Sequence, residues 1–116
     1  MNRLFHNPKC SKSRAALTYL TEHNIKFELI EYLKTPLSAL ALKKLYLKLE
    51  VPISEFVRVD KAMLETLNVE SIDALLVDDH IFKLIESDPK LLQRPIFETA
   101  QKAAIGRPLE NIIHIL

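Results

Sequence analysis

The first thirty-two residues constrain this chain more than any other stretch. Arg3, Leu4 and Phe5 read as a short buried strand. His6, Asn7 and Pro8 end it, because proline lacks a backbone donor and restricts the residue before it. A helix follows, with Ser11 as the expected N-cap and Ala16, Leu17 and Leu20 as its apolar face. It fades near His23–Asn24. Phe27 to Tyr32 then reads as a second strand, with Phe27, Leu29 and Glu31 alternating against Glu28, Ile30 and Tyr32. Neither face is cleanly polar, the pattern of a strand covered partly on both sides. Strand, helix, strand in so short a span is a βαβ unit. It makes the two strands parallel and the crossover right-handed.

The pattern then turns helical. Thr35 and Pro36 read as a cap and a first-turn proline, followed by Leu37, Leu40, Ala41 and Leu45 at helical spacing. Lys43, Lys44 and Lys48 form that helix's solvated face. Pro52 stops it. Short helical pieces are expected over Ser54–Leu67. A further helix is expected over Asp79–Glu86, with Ile81, Leu84 and Ile85 inward. After Leu92, Ile96–Thr99 and Ala103–Ile105 read as two strands joined by a tight turn at Ala100–Gln101. Gly106, the only glycine, marks a break. Leu109, Ile112, Ile113 and Leu116 fall at i, i+3, i+4 and i+7, an amphipathic helix. The expected order is β-α-β, a helical insert at about 36–90, then β-β-α. That is one α/β domain with a mixed four-stranded sheet, spanning 1–116.

Composition excludes several classes. With 48% apolar and 27% charged residues the chain suits a folded core rather than disorder. A net charge of +1 gives no basic field for nucleic acid. No apolar run approaches the roughly 20 residues that span a bilayer, and Met1–His6 lacks the features of a signal peptide. One cysteine cannot form an internal disulfide, so a cytoplasmic location is expected. His23, His80 and His114 have no partner at metal-ligand spacing and no metal site is expected. Asp78-Asp79 reads as helix-start chemistry.

Cys10 carries the chemistry. It follows a strand and precedes a helix, where the partial positive charge of a helix start and its free N–H groups favour a thiolate. Lys9, Lys12 and Arg14 add positive charge, and so would a protonated His6. Ser11 and Ser13 can donate hydrogen bonds. A lone cysteine is otherwise a small buried hydrophobe, but Pro, Lys, Ser and Arg neighbours are not a core sequence.

The run His6-Asn7-Pro8-Lys9-Cys10-Ser11-Lys12-Ser13-Arg14 resembles the active-site loop of the ArsC family, the glutaredoxin-coupled arsenate reductases. Gln93-Arg94-Pro95-Ile96 and Gly106-Arg107-Pro108 resemble two later segments of that family, and Arg58 falls where the family places its first arginine. The resemblance implies a thioredoxin-like fold. It also implies that Cys10 attacks arsenate to give a thiol–arsenate adduct, with glutathione as co-substrate and glutaredoxin as the reductant. No bound cofactor is expected. Arg58, Arg94 and Arg107 would bind the oxyanion, since each guanidinium offers a planar fork of donors; an arginine of unknown setting is otherwise a surface group. His6 would tune the thiolate or order its loop, unless it is a strand-end histidine facing solvent. Ser13 would hydrogen-bond within the loop. Pro95 sits where thioredoxin-like folds place a cis-proline. The protein is expected to be a monomer. Lys61 stands near where many family members carry a glutamate, and longer arsenate reductases extend beyond the position of Leu116. Other relatives on this fold are reductases of unknown substrate and stress regulators that bind RNA polymerase. The regulators carry a C-x-x-C switch, whose second position is Ser13 here. An iron–sulfur carrier of the monothiol glutaredoxin type is the third alternative.

Overall fold

The structure, a computed structural model, describes residues 2–58 and 80–116. The chain divides into two compact units, Met1–Pro36 with Arg94–Leu116, and Leu37–Gln93.

The first unit holds the sheet. Strand β1 (Arg3–His6) leads into helix α1 (Ser11–Glu22) and strand β2 (Glu28–Glu31). β1 and β2 are parallel, with Leu4 opposite Leu29 and His6 opposite Glu31. This is the βαβ unit that the residue pattern demands. Strands β3 (Ile96–Glu98) and β4 (Ala103–Ile105) form an antiparallel hairpin, and β3 pairs antiparallel with β1. The sheet order is β2-β1-β3-β4. At the hairpin turn the Thr99 N–H donates to Lys102 O at 2.8 Å, and the Lys102 N–H donates to Thr99 Oγ1 at 3.0 Å. The core joins Leu4, Ala16, Leu20, Phe97, Ala104 and Ile112, with Leu17, Phe27, Leu109 and Ile115 packed against it. Across the β1–β3 pair, the Arg3 guanidinium donates to the Glu98 carboxylate, which is 6% exposed. A buried carboxylate requires such a partner.

Four expectations in this unit need correction. Cys10, not Ser11, is the N-cap of α1: its backbone is extended, and its carbonyl accepts the first helical bond from the Arg14 N–H at 3.0 Å. His6 belongs to β1 rather than ending it. β2 is an edge strand, so Glu28 and Leu29 are exposed instead of covered on both faces. The last helix, here α5, is a single turn (Glu110–Ile113). Only Ile112 is buried, and Leu116 is 48% exposed. One turn cannot keep positions 109 and 116 on one stripe, and Ile115 meets the core in place of Leu116.

The described residues of the second unit form α2 (Ala39–Leu49), α3 (Ile53–Phe56), α4 (His80–Ser87) and a 3-10 turn at Pro89–Leu91. The cap of α2 is Ser38, whose Oγ accepts from the Ala41 N–H at 3.2 Å. Thr35 is spent earlier: its N–H and hydroxyl both turn back to Glu31 O. Starting three residues later than expected rotates the buried face to Leu42, Leu45 and Leu49 and leaves Leu40 exposed. α2 ends at Glu50 in the left-handed region, just before Pro52. Tyr46 packs on Phe56 and Phe82, with centroids at 5.2 and 5.8 Å. In α4, Phe82 takes the buried place expected for Leu84. Of the pieces expected over Ser54–Leu67, residues 54–56 lie in α3, while 59–67, with Lys61, fall outside the described residues, as do Asp78 and Asp79.

Candidate functional site

β1 delivers the chain to a short loop that holds Cys10 by local bonds. Asn7 organises it. Its carbonyl accepts from the Cys10 N–H at 3.0 Å, its Oδ1 accepts from the Lys9 N–H at 3.0 Å, and its own N–H donates to Ser13 Oγ at 3.3 Å. Arg14 Nη1 donates to Pro8 O at 3.0 Å. The sequence reading singled out Cys10 and missed Asn7, although an Asn-Pro pair two residues before a helix cap is an Asx-turn signal.

The second side of the site comes from the far end of the chain. Arg107 Nη2 donates to Cys10 Sγ at 3.4 Å, and its Nε donates to Arg94 O at 2.7 Å. Asn111, another residue not anticipated, donates from Nδ2 to Ile105 O at 3.1 Å and to Arg107 O at 3.4 Å. It pins the turn that carries Arg107. Both Arg94-Pro95 and Arg107-Pro108 are cis; the first matches the expectation for Pro95, and the second was not foreseen. Gly106 allows the close approach of these turns. A Cβ there would stand 2.7 Å from Ile112 Cδ1 and 2.8 Å from Pro95 Cγ.

The Cys10 thiol is 8% exposed, and that burial alone would raise its pKa. Opposing it are the Ser13 N–H, the Arg94 side chain, the Lys12 N–H and the Arg94 charge, which together push it down from 9.0 to about 7. Arg107 adds a donor, but it is exposed and its charge is screened by water. The source of the positive field therefore differs from expectation. Lys9 and Lys12 direct no charge at sulfur from their exposed side chains, and Arg14 is engaged with Pro8. Lys12 acts through its backbone.

His6 also differs. It is 3% exposed, and burial lowers its pKa below 6.5 despite the opposing pull of Glu31 and the Ser13 backbone. It is a buried neutral imidazole, not a solvent-facing cation, and its Nδ1 has no protein partner. Ser13 is fully buried and does bond within the loop. The structure thus brings Cys10, Ser13, Arg94 and Arg107 together. Arg58 belongs to the second unit, where its side chain is exposed and its N–H donates to Leu91 O.

A parallel βαβ start, a returning antiparallel hairpin and an acidic thiol at the cap of the first helix define a thioredoxin-like α/β thiol protein. Within that class the particular family is shown by comparison. The chain belongs to the ArsC family, whose profile matches residues 5–115. An arsenate reductase of Neisseria meningitidis serogroup A is 41% identical over 98% of this chain and 97% of its own length. The solved structure of an arsenate reductase from Vibrio cholerae superposes with a TM-score of 0.88 at 36% identity, covering 99% of this chain and 97% of that one. A global transcriptional regulator Spx 1 of Oceanobacillus iheyensis is more distant, 31% identical over 100% of this chain and 87% of its own. Relatives of the first kind support an ArsC-family thiol oxidoreductase.

Proposed function

We propose that this protein reduces arsenate to arsenite in the cytoplasm, as a monomer, using glutathione and glutaredoxin as the two external thiols. The observation that carries this reading is the Cys10 thiol, held near pKa 7 beneath the guanidinium groups of Arg94 and Arg107. Arsenate enters as an anion, and the two forks together with the Lys12 and Ser13 N–H groups favour negative charge at this place. The Cys10 thiolate bonds to arsenic(V) as one oxygen leaves as water. A glutathione thiol displaces a second oxygen in the same way. A glutaredoxin thiolate then attacks the glutathionyl sulfur, and the S–As electron pair stays on arsenic as As(III). Water releases arsenite and restores Cys10. Two thiols lose two electrons, and the products are arsenite, one mixed disulfide and water. The protein needs no resolving cysteine because the second and third sulfurs arrive from outside.

The test is NADPH consumption coupled through glutathione reductase. Turnover is expected to require arsenate, glutathione and glutaredoxin, and to vanish in Cys10→Ser, whose hydroxyl is scarcely ionised. No turnover with several glutaredoxins would overturn the proposal. The match to Spx favours a second reading, polymerase binding, which a pull-down of RNA polymerase with oxyanion absent would detect.

A further inference from the structure

Strand β4 closes one side of the sheet, and its pairing with β3 fixes which of its carbonyls need a donor from elsewhere. In an antiparallel ladder the pairs that exchange backbone bonds alternate with pairs that do not. The Thr99 N–H donates to Lys102 O, and the Gly106 N–H donates to Pro95 O, each at 2.8 Å. With Ile96 opposite Ile105 in that register, the Ile105 carbonyl faces the open edge. Ile105 is buried, and a buried carbonyl calls for a partner. Asn111 supplies it. Its Nδ2 donates to Ile105 O at 3.1 Å and to Arg107 O at 3.4 Å, so one side-chain amide spans Gly106 and holds the carbonyls on both sides of it. From that turn Arg107 reaches back to the site, with Nε on Arg94 O at 2.7 Å and Nη2 on Cys10 Sγ at 3.4 Å. Arg107 and Pro108 are exposed, so packing of their side chains does not fix the turn. Asn111 is exposed too, and α5 is anchored without its side chain. Ile112 lies in the core with Leu4, Leu20 and Phe97, and the Asn111 N–H bonds to Pro108 O through the backbone alone.

We infer that Asn111 is a positioning residue for the oxyanion, aiming the Arg107 fork at Cys10 without touching the thiol itself. The inference rests on the proposed function for its ligand, while the aim of Arg107 is a property of the resting protein. An arginine on an unheld turn spreads over many rotamers, and bidentate recognition of an oxyanion needs its planar fork in one orientation. Asn111 removes that freedom at the backbone. Its loss leaves the fold in place and the fork loose.

The experiment is a double-mutant cycle on the full chain with Asn111→Ala, Arg107→Ala and the pair. Asn111→Asp accompanies it, because it keeps the size and lacks the donors. The first readout needs no ligand. It is hydrogen exchange of the Arg107 Nε–H, followed by 15N NMR and assigned by its loss in Arg107→Ala. Exchange should speed up by at least about tenfold in Asn111→Ala and Asn111→Asp, with the amide spectrum of β1 and β3 retained. In the coupled assay both should raise the KM for arsenate by about tenfold and leave that for glutathione in place. In the Arg107→Ala background, Asn111→Ala should add nothing to the arsenate KM. A merely structural role would instead lower kcat through unfolded molecules, leave the KM alone and add in full to Arg107→Ala. Unchanged Nε–H exchange, an unmoved arsenate KM or full additivity would overturn the assignment. Faster exchange in a protein that turns over no arsenate would uphold the aiming of Arg107 and overturn the reductase reading. Turnover with exchange unchanged would do the reverse.

Discussion

Replacing Arg94 by Met isolates the remote contribution to the acidity of Cys10. Two of the four opposing influences on that thiol come from Arg94, one as a hydrogen bond and one as charge. In the intact protein a pKa of about 7 makes roughly half of Cys10 thiolate at pH 7. At the ordinary value of 9.0 the fraction would be about one in a hundred. The population gain is therefore about fiftyfold. Nucleophilicity falls with basicity at a Brønsted slope of about 0.4–0.5, so two units cost roughly eightfold. A net rate advantage of about sixfold at pH 7 remains. The rate of iodoacetamide alkylation as a function of pH measures both parts. The midpoint should lie near 7 in the intact protein and rise in Arg94→Met. Only the Ser13 and Lys12 N–H groups would then still oppose the effect of burial. An intact-protein midpoint at or above 9.0, or an unmoved midpoint in Arg94→Met, would refute the electrostatic account.

Two further outcomes follow from the same geometry. Gly106→Ala places a methyl group against the Pro95 ring and the end of Ile112; overpacking of this kind costs about 1–3 kcal/mol, readable by urea unfolding. Cys10→Ser removes a group whose folded pKa, about 7, lies below its unfolded 9.0. A depressed acid contributes stability that is full above pH 9 and is lost as pH falls through 7, so the stability gap between the two proteins should widen from pH 6 to pH 9.

The sheet was legible in the residues because strand, helix and strand were each marked by alternation, proline and cap chemistry. The hairpin read correctly for the same reason. What failed were choices between equivalent local signals. Thr35-Pro36 and Ser38 can each start a helix, and only the turn that binds Thr35 to Glu31 decides between them. The one-turn α5 shows that i, i+3, i+4 spacing fixes a face only while the helix lasts. In the site, Cys10 announced itself through its neighbours, and Arg94 and Arg107 through the family resemblance. The neutral state of His6 could not be read, because it depends on burial created by β1 pairing with β2. Nor could the division of labour among the cations. Lys9, Lys12 and Arg14 are near Cys10 in sequence, but the charge that reaches sulfur comes from Arg94.

Arg107 reaches Cys10 across a separation of 97 residues. During synthesis the cysteine leaves the ribosome early, while both arginines that face it are still to be added. Helix α1, with twelve residues, is marginal in water on its own. Leu4 and Phe27 supply part of its packing surface, which is complete only when Phe97, Ala104 and Ile112 arrive to meet Ala16 and Leu20. Until Arg94 is added, the thiol lacks two of the four influences that lower its pKa in the folded protein. The full set of those influences exists only once the third strand has paired with the first. The nucleophile is armed by completion of the fold.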